Sequence, residues 1–211
     1  GLGDVYKRQA LIHFIPYEYL NMITILTIPI ILLILFATVI ATEMKTSFKD
    51  IAYTFIGIFY VVFFTMFVAF INGMENGKIL IWYVIIAAWG TDIFAYFIGR
   101  LFGKHKITKV SPKKSVEGCI GGTVGAILLM ILYTYIANTF FGVNYSYLYI
   151  AGIGLVLSLI GQIGDLAASS IKRYVDIKDF SNLIPGHGGM LDRIDSLIFL
   201  APFAYAFFTL L

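Results

Sequence analysis

Charged residues are scarce in this chain of 211 residues. Asp, Glu, Lys and Arg make up 13% of it, whereas hydrophobic residues make up 60% and the mean hydropathy is +0.90. Soluble globular domains carry about 25% charged residues, so the composition excludes that class. The formal net charge is only +3, and we expect no nucleic-acid partner from it.

Cysteine is nearly absent as well. Cys119 is the single cysteine, which excludes an intramolecular disulfide, and its glycine neighbours favour a small packing residue. The chain also lacks the glycine-lysine loop of P-loop proteins and the glycine set of Rossmann folds. The two common soluble nucleotide-binding folds are therefore unsupported.

Long apolar runs dominate what is present. Each is close to the roughly 20 residues that a helix needs to cross the hydrocarbon core of a bilayer. The runs are continuous rather than alternating, which favours helices over the strands of a barrel. The sequence predicts an all-α, polytopic integral membrane protein of about six transmembrane helices, at 21–41, 51–71, 79–99, 121–141, 147–166 and 194–211.

Basic residues alternate between the connections of these predicted helices. The connections 42–50, 100–120 and 167–193 hold two, six and four Lys or Arg residues, whereas 72–78 holds one and 142–146 holds none. Cytoplasmic loops of membrane proteins are enriched in Lys and Arg. We therefore expect a multi-pass protein of the inner (cytoplasmic) membrane whose two large polar loops, and whose active site, face the cytosol at the membrane boundary.

The N-terminal segment differs from the rest of the chain. Residues 1–20 are predicted to be irregular, and 1–9 are interpreted as non-native because they place Lys7 and Arg8 on the outer side and contain no apolar signal-peptide core. Residues 21–211 are predicted to form a single transmembrane catalytic domain. We expect further membrane helices to precede this region in the native protein.

Glycines cluster at the start of the fourth apolar run. Gly118 and Gly122, and likewise Gly121 and Gly125, are four residues apart, a spacing that allows two membrane helices to approach closely. Helix packing is the favoured interpretation of this cluster, and a role in cradling a nucleotide is the alternative.

Carboxylates stand out against the apolar background. Asp92 lies within the third run, where a charge is costly and indicates a functional group or an ion pair. Asp165, Ser169 and Lys172 follow one another at helical spacing near the end of the fifth run, so they share one face.

Two more carboxylates, Asp192 and Asp195, begin the last run and share a helical face. Together with Asp165 they would repel one another, so a bound cation is expected. Oxygen ligands without a His or Cys cluster favour Mg²⁺ over zinc, and a second cation such as K⁺ is left open. His187 is a lone histidine between glycines, which favours a contact with phosphate or backbone over metal ligation.

The segment 169–195 resembles the C-terminal motif of the phosphatidate cytidylyltransferase (CDP-diacylglycerol synthase) family. That motif runs Ser-x-x-Lys-Arg, four residues, Lys-Asp, and then His-Gly-Gly-x-x-Asp-Arg-x-Asp. The matching residues here are Ser169 or Ser170, Lys172, Arg173, Lys178, Asp179, His187, Gly188, Gly189, Asp192, Arg193 and Asp195.

A second stretch of the chain resembles the same family. Its pattern is Asp-x-x-Ala-Tyr-x-x-Gly-Arg-x-x-Gly-Lys, followed by Ser-Pro-x-Lys-Thr-x-Glu-Gly. The matching residues are Asp92, Ala95, Tyr96, Gly99, Arg100, Gly103, Lys104, Ser111, Pro112, Lys114, Glu117 and Gly118. Ser115 and Val116 stand where the family usually has Thr and Trp. The two stretches cover about residues 89–118 and 161–195.

The resemblance implies a reaction in membrane phospholipid biosynthesis, in which CTP and phosphatidic acid give CDP-diacylglycerol and pyrophosphate. The residues then expected to be catalytic are Asp165, Lys172, Asp192, Arg193 and Asp195. Asp165 and Asp192 are the expected Mg²⁺ ligands, with Asp195 and Asp92 as further ligands. The residues expected to bind substrate are Arg100, Ser111, Lys113, Lys114, Ser169, Arg173, Lys178, His187, Gly188 and Gly189.

Three alternatives were weighed against this interpretation. A CDP-alcohol phosphotransferase would carry Asp-Gly-x-x-Ala-Arg and spaced aspartates, and no such run occurs. An ion or solute transporter using Asp92 and Asp165 would favour symmetric halves, which the sequence lacks. A CTP-dependent polyprenol or phytol kinase stays open, because the lipid acceptor is not readable from the sequence, and so does a homodimer.

Overall fold

The structure, a computed structural model, describes residues 17–42, 45, 47–108, 111–181 and 189–211, with side chains from residue 26 onwards. Within that part of the chain the backbone is helical, with one isolated antiparallel bridge between Lys106 and Ser115. The helices are α1 (Tyr17–Ala41), α2 (Phe48–Gly73), α3 (Gly77–Phe102), α4 (Val116–Phe141), α5 (Tyr147–Tyr174) and α6 (Leu191–Phe208). A π-helical segment interrupts α2 at Phe59–Phe63 and α3 at Ile86–Gly90.

The predicted fold class is confirmed: this is a helical, multi-pass membrane protein. Four of the described helices, α2 to α5, are long and apolar enough to cross a membrane. In α1 the apolar segment with described side chains, Leu26–Ala41, is shorter. The six-span count and the cytosolic position of the active site stay predictions.

Hydroxyl side chains begin three of the helices. The Ser115 Oγ accepts a hydrogen bond from the Gly118 N–H at the start of α4, and Ser146 accepts one from Tyr149 at the start of α5. At the start of α2, Ser47 and Asp50 form a reciprocal capping box. Such caps satisfy N–H groups that have no partner within the helix, which explains why the helices begin at these residues.

The chain divides into two compact units, the first ending at Phe59 and the second comprising Tyr60–Leu211. In the first unit the Phe36 and Phe48 rings, from α1 and α2, meet edge to face at 6.0 Å. The second unit has a buried core that includes Tyr83, Met130, Ile150, Leu157 and Leu200. The single catalytic domain over 21–211 stays a prediction, and the candidate site described below lies within the second unit.

The glycines of α4 pack directly against α3. A Cβ atom at Gly122 would lie 2.7 Å from the Thr91 carbonyl oxygen and 2.9 Å from the Ala95 Cβ. A Cβ at Gly118 would lie 2.7 Å from the Ala95 carbonyl oxygen. The predicted role of these glycines in helix packing is confirmed, because any side chain there would push the two helices apart.

Candidate functional site

A partly buried ion pair joins α5 to the connection before α4. The Lys114 ammonium contacts the Asp165 carboxylate, and their side chains are 18% and 25% exposed. Asp165 lies where the sequence predicted it, in the C-terminal half of α5. Lys114 was expected to bind substrate, and in the structure its ammonium pairs with a carboxylate.

A second ion pair joins α5 to the start of α6. The Lys172 Nζ lies 2.7 Å from the Asp192 Oδ1 and 3.9 Å from the Asp195 Oδ2. The same ammonium sits 5.1 Å from the centroid of the Phe180 ring, a distance at which a cation is attracted to an aromatic face. All three charged side chains are almost completely buried, so one lysine neutralises two carboxylates here.

Asp192 also fixes the backbone of the segment before α6. Its Oδ2 accepts hydrogen bonds from the N–H groups of Phe180 and Gly189, both at 2.9 Å. Burial raises the pKa of the Asp192 carboxyl, but the Lys172 ammonium and the two N–H donors outweigh this effect and lower the pKa overall. Asp192 is therefore held as a carboxylate.

Asp92, on α3, contacts the first turns of α6. The Ser196 Oγ on α6 donates a hydrogen bond of 3.3 Å to the Asp92 Oδ2. Asp92, Asp165 and Asp195 lie close enough for their charges to interact, and Lys114 acts on Asp92 as well. Residues from α3, α5, α6 and the connection before α4 thus form one charged cluster: Asp92, Lys114, Asp165, Lys172, Asp192 and Asp195.

Uncharged polar side chains connect the helices next to this cluster. The Thr91 hydroxyl donates to Ser158 at 2.9 Å, and Ser158 donates to Thr123 at 3.0 Å. Gln162 donates to Thr123 at 2.9 Å and to the Cys119 carbonyl at 3.2 Å. Thr91 directly precedes Asp92, and Gln162 lies three residues before Asp165, so this network joins the two helices that carry these carboxylates.

A cavity of about 230 Å³ opens beside the cluster. Its lining combines a carboxylate, two lysines, hydroxyl groups and a thiol, contributed by α3, α4 and their connection. The lining residues are Asp92, Ala95, Tyr96, Ser111, Lys113, Lys114, Ser115, Gly118 and Cys119. The cavity is large enough for a phosphate group and places cations and hydroxyl donors around it.

Other residues predicted to bind substrate lie outside the charged cluster. Arg100 is exposed on α3 and donates to the Tyr96 hydroxyl at 3.1 Å, and Arg173 is exposed and donates to the Ile177 carbonyl at 3.1 Å. Lys178 and Arg193 are exposed as well.

The remaining residues predicted to bind substrate are Ser169, His187, Gly188 and Gly189. Ser169 is partly buried on α5, one turn beyond Asp165, and Gly189 donates its N–H to Asp192. A Cβ atom at Gly189 would lie 2.7 Å from the Ser181 Oγ, so a side chain there would disturb this segment. His187 and Gly188 lie outside the described residues.

The cluster has donors of the kind that Mg²⁺ prefers, since carboxylate oxygens are hard ligands. In the described ranges, however, no three His, Cys, Asp or Glu side chains are arranged so that they could hold a metal ion. Lysines contact Asp165 and Asp192, the two expected ligands. The chemistry of the donors fits a divalent cation, and the metal site itself stays a prediction.

Several contacts of the cluster were not predicted from the sequence. Ser196 was passed over as part of an apolar run, although it follows Asp195 directly. The Trp89 indole donates to the Arg193 carbonyl at 3.2 Å, and the Tyr60 hydroxyl donates to the Asp195 carbonyl at 3.3 Å. These bonds end on backbone oxygens, which leave no signal in the sequence.

Known proteins share the sequence region that contains this charged cluster. The model of the cytidylyltransferase family matches residues 7–211. The chain belongs to this family. The match includes every residue of the charged cluster, and the resemblance inferred from the two sequence stretches is confirmed.

Curated relatives carry the name phosphatidate cytidylyltransferase. The Bacillus subtilis (strain 168) protein is 38% identical over 177 residues, which cover 83% of this chain and 64% of that relative. The Staphylococcus aureus (strain COL) protein is 37% identical over 164 residues, covering 77% and 61%. The Thermotoga maritima protein is 36% identical over 183 residues, covering 84% and 66%. The chain thus spans less than two thirds of the length of these relatives.

Proposed function

We propose that this chain transfers the cytidylyl group of CTP to phosphatidic acid, giving CDP-diacylglycerol and pyrophosphate. The observation that carries the proposal is the pairing of Lys114 and Lys172 with carboxylates of α5 and α6, together with a cavity lined by α3, α4 and their connection. The family match and the printed names of the relatives support the same reaction.

The chemistry requires charge neutralisation and alignment more than covalent participation by the protein. A phosphate oxygen of the lipid attacks the α-phosphorus of CTP, and the bond from that phosphorus to the oxygen bridging the β-phosphate breaks as pyrophosphate leaves. No general base is needed, because the attacking phosphate oxygen is already ionised at neutral pH. The protein must therefore hold two anions in line.

Roles for the residues follow from where their charges lie. Lys172 and Lys114, the two buried cations, would meet the phosphates of the substrates once these enter the cluster. Ser111 and Lys113 line the cavity and would contact the nucleotide phosphates from the loop side. The exposed Arg100, Arg173, Lys178 and Arg193 would attract both anionic substrates toward the site.

Mg²⁺ is part of the proposal. Asp165 and Asp192 would hold it, with Asp92 and Asp195 as additional ligands, and a monovalent cation such as K⁺ would occupy a second position. When bound, the metal would neutralise charge on the transferred phosphate and on the leaving pyrophosphate.

The site would face the cytosol from the inner membrane. CTP is soluble in water, whereas phosphatidic acid lies in the bilayer, so a site that receives both must lie at the boundary. The predicted excess of Lys and Arg on that side of the membrane supports this orientation.

Product formation tests the proposal. In detergent, the chain is expected to form CDP-lipid from CTP and phosphatidic acid only when Mg²⁺ is present, and Asp165→Asn is expected to abolish turnover. Transfer to a polyprenol or phytol acceptor, with no product from phosphatidic acid, would instead assign a lipid kinase. If the chain forms no product, the assay is repeated with the complete native protein.

Cys119 offers a test of where the substrate binds, independent of turnover. It is the single cysteine of the sequence and lines the cavity, so a thiol reagent modifies the protein at that position alone. CTP with Mg²⁺ is expected to slow the modification, and GTP at the same concentration is expected to slow it less. Equal rates with and without CTP would show that the nucleotide binds elsewhere.

A further inference from the structure

Backbone hydrogen bonds pair two parts of the connection between α3 and α4, next to Lys114 of the charged cluster. The Val116 N–H donates to the His105 carbonyl at 2.9 Å, and the Ile107 N–H donates to the Lys114 carbonyl at 3.3 Å. These bonds flank the bridge between Lys106 and Ser115. The backbone from the Lys114 carbonyl to the Val116 N–H is thereby paired with the segment that leaves α3.

One carboxylate closes this hairpin. The Glu117 Oε2 accepts hydrogen bonds from the N–H groups of Lys104 and His105, at 3.1 and 3.3 Å. The Glu117 Oε1 lies 2.6 Å from the Nδ1 of the His105 ring. We call this arrangement of Glu117, Lys104 and His105 the Glu117 clamp. It ties the first turn of α4 to the end of α3 through three contacts on one side chain.

Close packing leaves the clamped hairpin little room to shift. A Cβ atom at Gly103 would lie 2.5 Å from the Ser115 Oγ and 2.9 Å from the Ser115 Cβ. The Ser115 Oγ is itself engaged with the Gly118 N–H. Ser115 follows Lys114 directly, so its fixed position sets the point from which the Lys114 side chain departs.

The two neighbouring lysines of this hairpin, Lys113 and Lys114, differ in their exposure to solvent. Lys114 turns inward and pairs with Asp165, whereas Lys113 is exposed. A flexible loop rich in lysine would leave both in water, because a buried ammonium must give up its hydration. The direction of Lys114 therefore depends on the hairpin that carries it.

We propose that Glu117 is a positioning residue for cytidylyl transfer, acting through Lys114. Its carboxylate contacts the backbone of the connection rather than the charged cluster, and it holds the hairpin in the one register that aims Lys114 at Asp165. Glu117 lies in the second stretch that resembles the family, where the resemblance implies no role for it. This inference rests on the proposed function only for its kinetic consequence.

Chemical labelling of lysines tests whether Glu117 keeps Lys114 protected from solvent, and it does not require turnover. The ratio of Lys114 to Lys113 modification by an amine-reactive reagent, read by mass spectrometry of peptides, is expected to be low in the parent protein. Glu117→Ala is expected to raise the ratio several-fold, and Glu117→Gln, which keeps an acceptor oxygen, less so. Glu75→Ala, at an exposed carboxylate in the connection before α3, serves as the control and is expected to leave it unchanged. Protection of Lys114 in both Glu117 variants would overturn the proposal.

A double-mutant cycle tests whether Glu117 affects cytidylyl transfer through Lys114. Glu117→Ala is expected to lower kcat/KM for CTP by about tenfold in the parent protein, and to add no further loss in a Lys114→Ala background. Losses that simply multiply would show that Glu117 acts by another route. If neither the complete native protein nor its variants form product while labelling behaves as expected, the positioning role stands and the proposed function fails.

Discussion

Each lysine of the charged cluster contacts at least one carboxylate. Lys172 is the clearer case, because its ammonium meets Asp192 and Asp195 and also faces the Phe180 ring. Removing one partner of a buried ion pair leaves the other charge without compensation, which costs more than the pair contributes. At the scale of residues, loss of Lys172 is therefore expected to destabilise the site most, because this one cation contacts two carboxylates.

Lys172→Met is expected to lower the free energy of unfolding by about 3–5 kcal/mol, because it strands Asp192 and Asp195 in a buried environment. Lys178→Met, which removes an exposed lysine from the segment that follows α5, is the control and is expected to change the free energy of unfolding by about 0.5 kcal/mol or less. Thermal unfolding in detergent, followed by tryptophan fluorescence, measures both. Equal midpoints for the two variants would contradict the buried pairing.

At the scale of elements, close approach of α3 and α4 brings the site together. Gly118 and Gly122 let the backbone of α4 lie against Ala95 and Thr91 of α3, and Thr91 precedes Asp92. The same approach brings the hydroxyls of Thr91, Ser158 and Thr123 into one bonded series. Spacing between these helices thus controls where Asp92 stands.

Gly122→Ala is expected to destabilise the protein by about 1–3 kcal/mol, since the added methyl group has no room at the interface of α3 and α4. Gly152→Ala provides the comparison, because a Cβ there meets nothing within 4 Å and alanine favours the helix. The second variant is expected to be as stable as the parent or slightly more so. A Gly122→Ala protein that unfolds at the parental temperature would refute the packing described for this interface.

At the scale of the whole molecule, the cations are unevenly distributed among the connections. The connection 103–115, which carries the Glu117 clamp, holds five lysines and the connection 175–190 holds one, whereas the connections 74–76 and 142–146 hold none. The proposed orientation places the first set in the cytosol.

Orientation can be measured with single cysteines in a Cys119→Ala background. Lys178→Cys is expected to react with a membrane-impermeant thiol reagent in inverted vesicles and to stay unmodified in intact cells. Asn144→Cys, exposed at the opposite end of the bundle, is expected to show the reverse pattern. Reaction of both residues from the same side would rule out the proposed topology.

Much of this organisation was predictable from the sequence, for identifiable reasons. Apolar run length marks helices, and Asp92 and Asp165 stand out because charges are rare in such runs. The pairing of Lys114 with Asp165 was not predictable, because it depends on a hairpin held by backbone hydrogen bonds. The contacts of Tyr60 and Trp89 escaped prediction for a similar reason, since they end on main-chain oxygens.

The central claim is the identity of the transferred group, and two labelled forms of CTP test it most directly. CTP carrying radioactive phosphorus at the α-position, incubated with phosphatidic acid and Mg²⁺, is expected to label the lipid product. CTP labelled at the γ-position is expected to label only the released pyrophosphate. Label from the γ-position in the lipid, with none from the α-position, would identify a kinase and contradict cytidylyl transfer.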